Sequence, residues 1–248
     1  MKSPARILLI QTAFIGDVVL ALPVAQALHT AFPQAEIHFL VRQGNESLTQ
    51  NHPAVHKTWI WNKRNNKLRN LVQLILELRK QPFDYILNLH RFFSSGFLTT
   101  CLSAREKRGF QKNPFSFLWN VAAPHHLDGR HEVERNLSLV SDLTGITNLR
   151  PVLYPSPADE DFVSQWKQKP YFVLAPASVW FTKQMPESRW AALIQALPQA
   201  AIYLVGAPGD QALCQRLADS RAEVYNLAGK LSFLQTAALM QDAIRVFA

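Results

Sequence analysis

Cysteine occurs at only two positions, Cys101 and Cys214, which stand far apart in the chain. Their separation excludes a paired-cysteine zinc site and a disulfide framework, and it fits a reducing, cytoplasmic setting. Glycine-rich phosphate cradles are missing as well. Neither G-x-G-x-x-G nor G-x-x-x-x-G-K-[ST] occurs, and the loop after the first strand has Gly16 alone. No stretch supplies the ~20 uninterrupted apolar residues of a membrane span. The nearest approach, "ILLIQTAFIGDVVLALPVAQA" behind Lys2 and Arg6, imitates a secretion signal down to its Ala25-Gln26-Ala27 end. Asp17 spoils that reading, since a carboxylate inside the run costs about 2.5 to 3.5 kcal/mol in hydrocarbon. The expectation is a soluble protein. Carboxylates are the last deficit: 18 Asp and Glu face 26 Lys and Arg, leaving a net charge of +8. An anionic partner follows, whether nucleic acid, an acidic lipid surface or a phosphorylated small molecule.

What is present is an alternation of buried strands and amphipathic helices. Arg6–Gln11, Ile37–Val41, Thr58–Trp61 and Tyr85–Leu89 read as strands, separated by helices at Asp17–Ala31, in a short 45–50 segment and at Asn66–Lys80. In the last of these, Leu68, Leu71, Val72, Ile75 and Leu78 recur at helical spacing. Pro23 falls inside the first helix and is expected to kink or break it. Arg130–Thr144 reads as one helix with Val133, Leu137 and Val140 turned inward, capped by Gly145 in the left-handed conformation. Residues 148–161 carry three prolines and little periodicity, the texture of a linker. The chain therefore divides into residues 1–150 and 151–248. The second part repeats the pattern with strands Tyr171–Ala175, Ala201–Val205 and Glu223–Leu227, helices near 187–197, 209–218 and 232–241, and the opening of a further parallel strand at Ile244–Ala248. An ending on such a strand suggests a chain shortened at its C-terminus, the alternative being a short edge strand that closes a small domain.

In parallel α/β domains ligands sit beyond the strand C-termini, where helix N-termini aim N–H groups at them. Asp17 at the first such loop is either a helix cap or a carboxylate able to take a proton from a hydroxyl, and both can hold at once. The corresponding loop of the second domain, "APASVWFTKQMPESRW", offers the hydroxyls of Ser178 and Thr182 and the cation of Lys183, an anion-site pattern, with Trp180 and Phe181 beside them. Asp210 starts the next helix, where it caps or accepts from ribose hydroxyls. Cations crowd the first domain in "NKRNNKLRN", with Lys63 and Arg64, and in "SAREKRGFQK", with Arg108 and Lys112; such runs are ordinarily solvated faces. His90 and Arg91 follow a strand end. His131 and Arg135 stand four apart on one helix face and serve an acceptor or a carboxylate pair.

Taken together, "ILLIQTAFIGDVVLALPVAQAL", "FDYILNLH", "HEVERNL", "LAPASVWFTKQMPESRW", "YLVGAPGD" and "NLAGKLSFLQTAALMQDA" resemble the ADP-heptose:lipopolysaccharide heptosyltransferases, glycosyltransferase family 9, over the whole chain. The resemblance implies a GT-B-like α/β fold, two Rossmann-like parallel-sheet domains facing a cleft, the second incomplete. It implies an inverting transfer of heptose from ADP-heptose to a lipid A–core acceptor, at the inner face of the cytoplasmic membrane, with no cofactor or metal and no nucleic-acid partner. By the resemblance Asp17 becomes the catalytic base, Ser178 and Lys183 fall at donor-phosphate positions and Asp210 at a ribose-contacting one; the loop pattern adds Thr182 to the donor side, and Lys63, Arg64, His90, Arg91, His131 and Arg135 are the first domain's candidates for meeting the acceptor. Three departures from the family pattern stand out. Its K-x-W-P is Lys183-Gln184-Met185-Pro186 here, a hydroxyl that some members carry after Ser178 is Val179, and its D-[ST]-[GA]-x-x-H loop does not occur within the 248 residues. Poor transfer by these 248 residues alone is the corresponding expectation. A different class is a non-catalytic nucleotide-sugar-binding module of envelope assembly. Nucleic-acid binding by the basic runs is a third reading, and it leaves the strand–helix anion loop unexplained.

Overall fold

The computed structural model describes residues 3–125 and 128–248, and of Phe181 only the backbone. Lys2 and the Phe181 side chain, both invoked above, lie outside the described residues. Two compact units divide the chain, Met1–Leu153 and Tyr154–Ala248.

The first unit runs β1 (Arg6–Ile10), α1 (Ile15–Val19), α2 (Leu22–Ala31), β2 (Glu36–Arg42), α3 (Ser47–Gln50), β3 (Lys57–Trp61), α4 (Lys67–Leu78), β4 (Phe83–Asn88), α5 (Phe93–Cys101), β5 (Ala104–Phe110), β6 (Val121–Ala123), α6 (Glu132–Leu137) and α7 (Ser141–Thr144). Its strands pair in parallel in the order β3-β2-β1-β4-β5-β6. This is the doubly wound, Rossmann-like order, and it places a topological switch point between β1 and β4. Successive side chains of β1 enter opposite cores: Ile7 and Leu9 pack with Val24 and Leu28 of α2, whereas Leu8 and Ile10 pack with Leu74, Ile75 and Leu78 of α4. Burial on both faces explains why these strands read as continuous apolar runs.

The second unit comprises α8 (Pro157–Ser164), β7 (Tyr171–Leu174), α9 (Glu187–Ala196), β8 (Ala201–Leu204), α10 (Gln211–Ala218), β9 (Val224–Asn226), α11 (Phe233–Gln241) and β10 (Arg245–Phe247). Its parallel sheet has the order β10-β7-β8-β9, so β7 and β10 flank a second switch point.

Four local expectations need correction. The helix expected over Asp17–Ala31 is two helices, the break that Pro23 led one to expect: the proline sits in the first turn of α2, where a missing N–H costs nothing. The helix expected over Arg130–Thr144 is broken likewise, into α6 and α7, although Val133, Leu137 and Val140 are buried and Gly145 caps α7 at φ 69°. Within α4, Leu74 takes the buried place assigned to Leu68 and Val72, which are exposed. Residues 148–161 are not linker throughout, since α8 begins at Pro157 behind a reciprocal cap between Ser156 and Asp159.

Candidate active site

A pocket of ≈ 460 Å³ lies beyond the C-terminal ends of the first unit's strands. Gln11, Thr12 and Ala13 come from the end of β1, Arg42 from β2, Lys63 from the segment after β3, and Leu89, His90 and Arg91 from the segment after β4. Helix starts supply Phe14, Asp17, Lys67, Phe92, Ser94 and Glu132. This is the switch point that the strand order singles out.

Asp17 is the third residue of α1, not its cap residue. Its Oδ2 accepts the Phe14 N–H at 3.0 Å, a bond that ties the helix entry to the carboxylate. Oδ1 has no protein hydrogen bond among the described residues. The side chain that closes the helix entry is therefore also one that lines the pocket.

Behind Asp17 a short relay is built from side chains that the strands bury. Lys63 Nζ donates to the Thr12 carbonyl at 2.7 Å and to Thr12 Oγ1 at 3.0 Å, and its cation lies 4.4 Å from the Trp61 ring centroid. Thr12 Oγ1 lies 3.1 Å from His90 Nδ1. The hydroxyl accepts from Lys63, and it pairs with His90 Nδ1 as donor or acceptor according to the ring's tautomer. Burial, then Lys63 and Arg91, push His90 down to about 4. His90 is consequently a neutral imidazole near pH 7.

The strand end that carries His90 is braced from below. Asn113 Nδ2 donates to the carbonyls of His90 and Phe92, and Ser95 Oγ donates to the same two oxygens. A Cβ at Gly96 would lie 2.0 Å from Asn113 Oδ1, so glycine is what allows α5 to approach this brace.

Burial first, and then the neighbouring charges of Lys67 and Arg42, push the Lys63 ammonium from the usual 10.5 down to about 8. Two opposite pH effects follow. Anion binding in the pocket weakens above about pH 8 as Lys63 loses its charge. Folding stability, by contrast, rises between about pH 8 and 10.5, because there the unfolded chain holds the proton that the folded one has released. Lys63→Met is expected to flatten both curves, read as inorganic phosphate affinity by calorimetry and as midpoint of urea unfolding.

Among the other first-unit residues singled out from sequence, Arg64 is exposed beside the pocket segment but does not line it. His131 does not share a helix face with Arg135; it is the cap residue of α6, its Nδ1 accepting the Val133 N–H at 3.3 Å. Arg135 pairs with Glu132 at 2.5 Å and with the Arg130 carbonyl. Glu132, rather than either of them, reaches the pocket. The basic run around residue 108 is a solvated face only in part: Arg105 and Lys112 are exposed, but the run forms β5, and Arg108 is buried in ion pairs with Glu106 and Asp142.

The second unit has its own cavity, ≈ 650 Å³, at its own switch point between β7 and β10. Ala175 to Ser178 and Lys183 line it, with Met185, Trp190 and the end of β10. The loop is held by Gln184 Nε2 donating to the Ser178 carbonyl at 2.5 Å and by the Trp180 N–H donating to Ser178 Oγ at 3.2 Å. Thr182 and Asp210 do not line this cavity. Asp210 repeats the Asp17 device, its Oδ2 accepting the Ala207 N–H at 2.7 Å. A Cβ at Gly206 would come within 3.0 Å of it.

Among the described residues, one cluster has near-ligand spacing for a metal: Glu36, His38 and His56, with ligand atoms within 4.8 Å of one another. It begins β2 and β3, at the opposite strand ends from the pocket. The Trp59 indole N–H donates to His38 Nδ1 at 3.0 Å, so His38 carries its proton on Nε2, the atom 3.7 Å from Glu36; Arg6 holds Glu36 at 2.6 Å. A protonated nitrogen and a carboxylate already paired to a guanidinium make a poor cation site.

Comparison with known proteins identifies the lineage. The profile of "Glycosyltransferase family 9 (heptosyltransferase)" matches residues 71–247. The chain belongs to glycosyltransferase family 9. It is therefore a transferase enzyme, and its α/β architecture is of the GT-B class. Over 255 residues this family 9 enzyme is 28% identical to lipopolysaccharide heptosyltransferase 3 of Escherichia coli K12, covering 92% of this chain and 72% of that protein. A family 9 glycosyltransferase from Veillonella parvula superposes with a TM-score of 0.89 at 17% identity, covering all of this chain and 76% of the other. Escherichia coli heptosyltransferase WaaC, solved with ADP-2-deoxy-2-fluoro heptose, superposes at 0.79 with 22% identity over 97% and 81%. The profile begins beyond Asp17, Arg42 and Lys63, so that part of the pocket rests on its geometry.

Proposed function

We propose that this family 9 enzyme moves a heptose from ADP-heptose to the lipid A–core of lipopolysaccharide with inversion at the anomeric carbon, its first unit taking the acceptor and its second the nucleotide sugar. One observation carries the reading: a carboxylate held by its own helix entry, Asp17, lines a pocket whose other walls supply Arg42, Lys63, Lys67 and Arg91. Cations of that density suit a phosphorylated or carboxylated saccharide. Asp17 takes the proton of the acceptor hydroxyl as its oxygen bonds to the anomeric carbon, and the bond to the diphosphate breaks on the far side. His90 orients the acceptor, and Lys63, clamped to Thr12, meets its negative charge.

In the second unit, Ser178 and Lys183 border the strand–helix loop that suits a diphosphate, and Lys183 offsets the charge that grows on departing ADP. Asp210 and Thr182 stand apart from that cavity; on this reading Asp210 reaches the ribose from the neighbouring loop, and Thr182 is a weaker participant. Titration of ADP by calorimetry tests the donor half. Lys183→Met is expected to weaken ADP binding by about tenfold, the worth of one charge-assisted hydrogen bond. Equal affinity in the variant would remove Lys183 from the donor site. The structures of relatives with ADP and with an ADP-heptose analogue support the choice of nucleotide.

A further inference from the structure

We propose that the Phe14 ring is a stacking platform in the first unit's pocket, the surface on which one sugar ring of the acceptor lies while its hydroxyl meets Asp17. Folding does not account for this side chain. Phe14 stands at the entry of α1, where side chains able to accept the helix's first N–H groups are favoured, and a phenyl ring can make no such bond. Burial does not account for it either, since Phe14 is 59% exposed. The residue is nevertheless held in place. Its N–H donates to Asp17 Oδ2 at 3.0 Å and its carbonyl accepts the Val18 N–H at 3.2 Å, so the peptide groups on both sides of the ring are fixed to α1. The Arg42 guanidinium lies over the ring, 4.9 Å from its centroid, and Arg42 Nε is buried without a hydrogen bond. A cation therefore covers part of the ring, and the remainder is open at the pocket wall.

The rest of the pocket selects the ligand. Phe92 lines it too, 64% exposed with its ring 4.8 Å from that of His90, so two open phenyl groups stand among the cations and the carboxylates of Asp17 and Glu132. A saccharide matches that mixture. The C–H groups on the face of a sugar ring carry slight positive charge and suit the negative face of a phenyl group, while its hydroxyls suit the charged groups around it. Of the two reactants the nucleotide sugar has the second unit's cavity, which leaves this one to the acceptor; in that choice the inference rests on the functional reading above. A single hydrogen bond joins the Phe14 backbone to the Asp17 carboxylate. A sugar seated on the ring is thus held at a set offset from the carboxylate, and Phe14 helps to decide which hydroxyl reaches it.

Proton NMR of a deacylated, heptose-deficient core oligosaccharide, with no nucleotide sugar present, tests the platform separately from the reaction. Protons over a phenyl face are shielded, so the C–H resonances of one sugar residue are expected to move upfield when the protein is added. Phe14→Leu is expected to abolish that shift and to weaken oligosaccharide binding, read by calorimetry, by about tenfold. Phe14→Tyr is expected to keep both. The bond to Asp17 comes from the backbone, so the melting temperature of both variants should hold. No binding of the oligosaccharide by the parent chain, or the same shift and affinity in Phe14→Leu, overturns the proposal. So does an upfield shift that appears only on the adenine protons of added ADP, since the ring would then carry the base. Heptose transfer decides the functional reading by itself: a chain that seats the oligosaccharide on Phe14 and transfers nothing keeps the platform and loses that reading.

Discussion

Asp17→Asn is expected to lower turnover by about a hundred- to ten-thousandfold while leaving ADP affinity and melting temperature where they were. The amide keeps an oxygen that can accept the Phe14 N–H, so the helix entry at 3.0 Å survives. What it loses is basicity, and a positioned general base contributes about that factor. Asp17→Ala separates the two roles of the carboxylate from the other side. It loses the base and the cap together, and costs about 1 kcal/mol of stability in addition. A side chain that is only a cap gives the opposite pattern: full turnover in Asp17→Asn and a loss in Asp17→Ala that stability accounts for. Initial rates at saturating donor, with calorimetric ADP affinity and thermal unfolding on the same preparations, distinguish the two.

Arg108→Ala destabilises the first unit by about 3 kcal/mol, the larger of the expected stability effects, since breaking a buried ion pair leaves charge without a partner. Arg108 Nη1 and Nη2 grip the two Asp142 oxygens at 2.6 and 2.9 Å, Nε donates to Glu106 at 2.6 Å, and Nη1 also holds the Leu139 carbonyl at 3.0 Å. Loss of the guanidinium therefore leaves Glu106 uncompensated and unpins α7 from β5. Asp142, half in solvent, can rehydrate, so Asp142→Asn should cost much less, roughly 1 kcal/mol. Urea unfolding of both variants measures the contrast. Equal and small effects would mean that β5 is held by its ladder alone.

The same residue explains one limit of reading this sequence. "AREKRGF" has the composition of a solvated run, and nothing local reveals that Arg108 is neutralised by Asp142, 34 positions away. Helix α5 escaped for a related reason. "FFSSGFLTT" is rich in residues that disfavour helix interiors, and it is stabilised by hydroxyls bonded within the turn and by Asn113 lying against Gly96. The apolar strands were legible because both faces of the sheet are covered, and burial on both sides writes itself into sequence as a continuous run. The pocket was legible in part by the same logic. Asp17, Lys63, His90 and Arg91 all follow strand ends, and strand ends were where ligands were to be sought. Arg42 and Glu132 were missed although the rule reaches them, since Arg42 looks like the last polar residue of a strand and Glu132 like one of several acids at a helix start. The relay from Lys63 through Thr12 to His90 joins residues 51 and 78 positions apart and has no local signature.

The central claim, that this family 9 chain transfers a heptose and does not merely hold a nucleotide sugar, is tested by mass spectrometry of the acceptor. The enzyme is incubated with ADP-heptose and heptose-deficient lipid A–core, and acceptor and nucleotide are both followed. The account predicts that the acceptor gains one heptose for each ADP released, with the new linkage inverted relative to the donor. ADP-heptose that binds and is recovered intact, beside an acceptor of unchanged mass, would contradict it and leave a binding module in its place.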